Sequence, residues 1–300
     1  MPTIITRGGM SSYAMGFAIG VGKKAIFGYG TTGSFTAITN LVTNTGNVAN
    51  DTTGVGTARQ NLAAAGYGTN KAIFGYGDTG SVTAITNLVS STGVVSTDTA
   101  GVGTARAILA AASYGTDKAI FGYGQSTAIT NLVSNTGVVA TDTAGVGTER
   151  YYLAAASYGT DKAIFGYGFD NSSNVSMTNK VSNTGVVSSD TTGVGTGRRA
   201  LAAAGYGIDK AIFGFGYPGG ASSVSTTNLV SNTGVVSTDT TGVGSGRDSL
   251  AAAGYGADKA IFGYGNFTNV TNLVSNTGVV ATDRTGVGTS RYYLAAASYG

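Results

Sequence analysis

The sequence predicts an all-β fold, a six-bladed β-propeller of four-stranded antiparallel blades. Three observations predict it. The string KAIFG recurs six times, beginning at Lys24, Lys71, Lys118, Lys162, Lys210 and Lys259, at intervals of 47, 47, 44, 48 and 49 residues. A period of this length fits one blade of four short strands. Helical periodicity is missing throughout. The stretch Arg291–Gly300, RYYLAAASYG, reads as a first strand with no second strand after it.

Each unit divides into four predicted strands. The first is Leu-Ala-Ala-Ala-x-Tyr-Gly, as at Leu62 to Gly68. Its side chains are small, which suits an innermost strand converging on a central channel. The second is Lys71 to Gly77, KAIFGYG. Alternation puts Ala, Phe and Tyr on one face and Ile with the glycines on the other. Ile26, Phe27 and Tyr29 and their equivalents are expected between blades, with the glycines allowing close approach. The third strand is Thr86 to Ser90. The fourth follows Asn-Thr-Gly, a tight hairpin signal, as at Val138 and Val139. The unit closes through the turn-rich link Asp-Thr-x-Gly-Val-Gly. Before Lys24 the chain reads Met15-Gly16-Phe17-Ala18 where Leu-Ala-Ala-Ala is due. The orphan strand 291–300 is therefore expected to complete the first blade, joining the ends without a covalent bond. Residues 23–300 form the propeller on this reading, and 1–22 are left as an arm.

Composition removes whole classes of chemistry. The chain has no Cys and no His. Disulfides, thiolate nucleophiles, imidazole bases and the commonest metal ligand are absent, so triads of the Ser-His-Asp kind cannot be built. A net charge of +3 from 17 basic and 14 acidic residues is too weak for a nucleic-acid surface. The N-terminus, MPTIITRGGMSSYAMGFAIGVG, reads as neither a signal peptide nor a membrane span. No cofactor and no membrane insertion are expected.

The repeats differ mainly in one loop. Between the second strand and the Thr-Asn of the third lie 8, 8, 5, 9, 10 and 5 residues, and this loop holds all the length variation. Four copies carry an aromatic there: Phe35, Phe169, Tyr217 and Phe267. A second variable set is the pair after each periodic Arg: Gln60-Asn61, Ala107-Ile108, Tyr151-Tyr152, Arg199-Ala200, Asp248-Ser249 and Tyr292-Tyr293. In an antiparallel blade both sets are expected on one face of the disc. Loops on a rigid scaffold are where binding function usually sits. The aromatic candidates are Phe35, Phe169, Tyr217, Phe267, Tyr151, Tyr152, Tyr292 and Tyr293.

Each repeat also carries an Asp and an Arg eight residues apart: Asp51/Arg59, Asp98/Arg106, Asp142/Arg150, Asp190/Arg198, Asp239/Arg247 and Asp283/Arg291. A catalytic site is normally singular, so a six-fold pair reads first as structural. On that reading Asp holds backbone N–H groups in the turn, and Arg bridges to it or to a neighbouring blade. The alternative is a ring of Arg near the channel mouth that captures an anion. One carboxylate per Asp-Thr-x-Gly-Val-Gly loop is too few for calcium. Neither Gly-Tyr-Gly nor Gly-Val-Gly feeds a helix, so neither is a phosphate loop.

Arg59, Leu62–Ala65 and Lys71–Gly77 together resemble the unit of kelch-type β-propellers, and the resemblance covers residues 23–300. The family's Gly-Gly pair reads Gly-Tyr-Gly here, and its fourth-strand Trp is absent. The near-identical repeats also resemble kelch-like repeat proteins of bacteriophage virions. The stretch Arg7–Phe17 is similar to the short Gly/Ser/Ala N-termini of some virion tail or capsid appendages. The resemblance implies a non-catalytic virion protein. It would be attached to other virion proteins through residues 1–22 and display its variable face to a host-surface glycan or protein. The alternative is a kelch-type interaction scaffold. A carbohydrate-acting enzyme stands third, because no singular acidic cluster is present.

Overall fold

In the computed structural model, residues 23–125, 127–220 and 222–300 are described. The arm assigned to 1–22 lies outside them. The described residues form eighteen strands and no helix, arranged as six three-stranded antiparallel sheets in a β-propeller-like repeat. Among them no helix is long and apolar enough to cross a membrane.

The second sheet shows the unit most fully. Strand β3 (Ala63–Tyr67) pairs with β4 (Lys71–Asp78), and β4 pairs with β5 (Val82–Val89). The third to sixth sheets repeat it as β6 (Ala110–Tyr114), β7 (Lys118–Gly122) and β8 (Thr130–Val133), then β9 (Ala154–Tyr158), β10 (Lys162–Gly166) and β11 (Thr178–Val181), then β12 (Ala202–Tyr206), β13 (Lys210–Gly214) and β14 (Thr227–Val230), then β15 (Ala251–Tyr255), β16 (Lys259–Gly263) and β17 (Thr271–Val274). The first sheet takes its inner strand from the far end of the chain. There β18 (Ala295–Tyr299) pairs with β1 (Lys24–Gly28), which pairs with β2 (Thr39–Val42). The register runs from Lys24 opposite Tyr299 to Gly28 opposite Ala295. The inner strands touch in a closed circle, β3–β6–β9–β12–β15–β18 and back to β3.

The expected fourth strand does not form. The outer segment meets the third strand only at isolated bridges, Val89 with Val95 and Thr86 with Thr99 in the second sheet. Three steps along β5 face four along the outer segment, so one residue is extra and the ladder is bulged. The Asn87 side chain fills the break. Its Nδ2 donates to the Ser96 carbonyl at 3.0 Å and to Asp98 Oδ1 at 2.8 Å.

The core lies between neighbouring sheets. Ile26 and Tyr29 pack with Ala72 and Phe74 of the second sheet, while Ala25 and Phe27 pack with Ile261 and Tyr264 of the sixth. Tyr29 thus shares the face of Ile26, not that of Phe27 as simple alternation predicts. The cause is backbone conformation: Tyr29 has φ +63°, which turns its side chain across. Ring pairs of the Tyr29–Phe74 kind sit edge-to-face with centroids 5.1 Å apart. Glycine is required where that ring arrives. A Cβ on Gly75 would lie 2.7 Å from Phe121 Cζ in the next sheet. Gly75→Ala is expected to cost about 1–3 kcal/mol by overpacking, read from denaturant midpoints. An unchanged midpoint contradicts the packing account.

Candidate functional site

The six variable pairs sit where the chain turns into each inner strand. Their second members, Asn61, Ile108, Tyr152, Ala200, Ser249 and Tyr293, all take φ between +53° and +55°. This left-handed turn aims each N–H at the carbonyl of the preceding neighbour. Asn61 donates to Tyr293, Ile108 to Asn61, Tyr152 to Ile108, Ala200 to Tyr152, Ser249 to Ala200 and Tyr293 to Ser249, at 2.8–3.0 Å. Six backbone hydrogen bonds therefore close head to tail around the centre. The side chains at these positions vary while their backbone does not. Tyr152 and Tyr293 stand three steps apart in both directions around the ring. Their rings meet across the centre with centroids 6.1 Å apart. Burial first, then the neighbouring Tyr293, pushes the Tyr152 phenol up to about 12, so it is neutral at physiological pH.

The elastic loops join this face directly. Isolated bridges link Gln60 with Asp78, Tyr151 with Phe169, Arg199 with Tyr217 and Thr31 with Tyr292. Both variable sets thus meet at one end of the inner strands. Seven of the eight candidate aromatics form or flank a continuous array. Phe267 stacks on Tyr292 at 4.1 Å, Tyr292 on Tyr293 at 4.7 Å, and Tyr151 contacts Tyr152 and Phe169 at 5.5 Å each. Arg199 lies between Phe169 and Tyr217, its guanidinium carbon 5.0 Å from each ring centroid. Phe35 stands apart, bridged to Thr31 and 38% exposed near Gly80 of the next sheet.

A cavity of about 430 Å³ opens within the array, lined by Tyr151, Tyr152, Phe169, Arg199, Ala200, Tyr217, Asp248, Ser249 and Tyr293. Five of the eight candidate aromatics line it. Beside it Leu62, Leu109, Leu153, Leu201, Leu250 and Leu294 draw together beneath the backbone ring. The Lys-bearing turns lie at the other end of the inner strands, where Lys71 and Lys210 border a separate hollow with Ser113 and Ser157. Arg199, Asp248 and Ser249 are variable residues that aromatic content alone does not single out. Their signal is membership of the variable pairs that correspond to Tyr151-Tyr152 in other repeats.

The Asp and Arg series do different work. The six Arg residues are buried, at most 1% exposed, so they are not a ring at a channel mouth. Arg59 donates Nε to the Tyr76 carbonyl at 2.8 Å, Nη1 to the Thr57 carbonyl at 3.1 Å and Nη2 to Asn87 Oδ1 at 2.8 Å. Its guanidinium carbon also lies 4.3 Å from the Tyr29 centroid. The partner Asp is not the one eight residues earlier but the one a repeat later. Asp98 accepts from Thr57 N–H at 3.1 Å and Thr57 Oγ1 at 2.6 Å. Each link therefore clamps one sheet to the next. At the junction of the ends, Arg291 donates to Asn40 and Thr289 to Asp51, across 251 and 238 residues of sequence. The Asn of the third strand's Thr-Asn pair is the member that sequence reasoning passes over, although its six-fold recurrence is visible.

These carboxylates set an acid limit. Burial pushes Asp98 up, but hydrogen bonds from Thr57 and Asn87 and the charge of Arg59 more than offset it, leaving its pKa below the ordinary 3.8. The same holds at Asp51, Asp142, Asp190, Asp239 and Asp283. A depressed folded-state pKa stabilises above the unfolded value, and that contribution is lost as pH falls through the folded one. Denaturant midpoints are expected to hold down to about pH 4 and drop steeply below it. Equal midpoints at about pH 6 and about pH 3 refute the clamp as the acid-labile element.

No protein-family model matches the chain, and no curated protein sequence matches it. Among solved structures it is similar to a fungal alcohol oxidase of the AA5 family in complex with copper. The TM-score is 0.57 at 14% sequence identity, over 89% of this chain and 64% of the oxidase. The chain thus spans a little under two thirds of that protein, and the likeness is one of fold alone. The imidazole and thiolate donors that copper favours are absent from this sequence. Among the described residues no group of three or more His, Cys, Asp or Glu could hold a metal ion.

Proposed function

We propose that the chain is a six-bladed β-propeller, closed through β18, that serves as a non-catalytic recognition module on a virion. Its variable face binds a host-surface glycan or protein, and residues 1–22 attach it to other virion proteins. The observation that carries the binding reading is the convergence of both variable sets on one aromatic cavity. The rest of each repeat keeps its length and nearly all its residues. A nearly constant frame whose variation gathers at one end, with a cavity among the variable residues, is the pattern expected of a binding scaffold.

Support for the virion setting is the resemblance of the repeats and of Arg7–Phe17 to phage appendage proteins. A glycan array probed with the purified chain tests the face. Tyr151→Ala and Tyr217→Ala are expected to weaken any ligand found by about tenfold each, as stacked aromatic anchors do, with melting temperature unchanged. Binding that survives both substitutions places the site elsewhere. Mass spectrometry of purified particles tests the setting separately.

A further inference from the structure

The cavity is asymmetric, and its asymmetry specifies a ligand. Around the backbone ring, Tyr152 and Tyr293 lean together over the centre, while the two positions between them on one side are Ala200 and Ser249. These small side chains leave the hollow, and the tyrosines wall it. Its volume of about 430 Å³ is that of a small-molecule pocket.

The charges within it are unequally satisfied. Asp248 Oδ1 accepts from Ser249 Oγ at 2.7 Å and Oδ2 accepts from Ser223 Oγ at 2.5 Å. The guanidinium of Arg199 lies over two aromatic rings, Phe169 and Tyr217, at 5.0 Å from each centroid, and its backbone is tied to Tyr217 by two hydrogen bonds. Its guanidinium N–H groups find no acceptor among the described residues. Each of the six buried Arg side chains of the clamps, by contrast, donates to a carbonyl or an Asn side chain, although the Nε of Arg150 and of Arg291 has no partner. Stacking holds the planar group in place while its in-plane donors stay free, which is how an Arg receives a carboxylate bidentately. Aromatic walls suit the apolar face of a pyranose ring, and Asp248 and the tyrosine hydroxyls suit its hydroxyl groups.

We infer that this cavity binds an acidic pyranose, a uronic- or sialic-type sugar, with its carboxylate on Arg199. The inference rests on the recognition reading above and names the ligand class of that same face. Titration of the full chain with glucuronate and N-acetylneuraminate, against glucose and N-acetylglucosamine, tests it. The acidic sugars are expected to bind at least about tenfold more tightly than the neutral ones, the loss that one charge-assisted contact carries. Arg199→Gln should remove that preference and leave the weak neutral binding in place. Arg199→Lys should restore only part of it, and added salt should erode it. Melting curves of both variants report folding separately.

If neutral and acidic sugars bind equally and Tyr151→Ala abolishes both, the recognition face stands and the role of Arg199 falls. If acetate competes as well as the acidic sugars, the carboxylate site stands and the sugar assignment is overturned. If no sugar binds and the glycan array is blank, the glycan form of the recognition reading falls together with the inference.

Discussion

Removal of residues 291–300 is expected to abolish cooperative folding rather than to lower stability by an increment. The ten residues hold β18, the inner strand of the first sheet, and with it Ala295, Ala297 and Tyr299, all buried. Without them β1 loses its inner partner along all five residues and keeps only β2. The backbone ring loses Tyr293, so two of its six hydrogen bonds go. The clamp loses Arg291 and its bond to Asn40. Burial of Tyr299 and Leu294 contributes about 1.5–3 kcal/mol each and of each Ala methyl about 0.8 kcal/mol, while a whole domain has only about 5–15 kcal/mol in hand. The losses together exceed the margin. They also expose the edge of β1, which invites aggregation, and uncover β3 and β15, on which β18 packs. The shortened chain should elute as soluble aggregate and melt without a sharp transition. A synthetic peptide of residues 291–300 added during refolding should restore the transition, because the closure is non-covalent. A shortened chain that melts like the full one would falsify the closed arrangement.

That closure was legible in the sequence for a specific reason. The repeat is nearly invariant, so a missing strand at Lys24 and a surplus one at Arg291 stand out against five complete copies. The convergence of the elastic loops and the variable pairs was legible for the same reason, since strand direction alone assigns them to one end. Three things were not. The fourth strand reads as Val-Val after a hairpin signal, but Asn87 takes the Ser96 carbonyl and breaks the ladder. A side chain that replaces a backbone partner leaves no trace in hydrophobic alternation. The side on which Tyr29 packs depends on its positive φ, which an aromatic residue seldom adopts and which the flanking glycines only hint at. The Asp and Arg recur eight residues apart, yet each Asp serves the link of the preceding repeat. A fixed spacing in a repeat cannot distinguish a partner in the same unit from one in the next, because both recur with the same period.

The clamp leads to the second large effect. Arg59→Ala is expected to cost about 3–5 kcal/mol, the range for breaking a buried polar network by removing its charged member. The guanidinium makes three hydrogen bonds and covers the Tyr29 ring. Its removal strands the Tyr76 carbonyl and Asn87 Oδ1 and leaves a cavity between two sheets. Burial pulls the Arg59 pKa down while Tyr29 and Asp98 push it back up, and the group stays charged at neutral pH. Arg59→Lys should recover little, since one ammonium cannot reach three acceptors in the directions a planar fork supplies. Asn87→Ala alone should also destabilise, and the double variant should cost less than the sum of the two, because both remove the same bond. Lys71→Ala, at the exposed start of β4, should fall within about 0.5 kcal/mol of the parent. A loss at Arg59 below about 1 kcal/mol would mean that the sheets hold together by aromatic packing alone. The comparison with Arg291→Ala adds a further discrimination. Arg291 also donates Nη1 and Nη2 to a Thr carbonyl and an Asn side chain, but it joins segments 251 residues apart where Arg59 joins segments 28 apart. Arg291 lacks the Nε bond that Arg59 makes, so its loss should cost less at equilibrium, while only Arg291→Ala should speed opening at the junction of the ends.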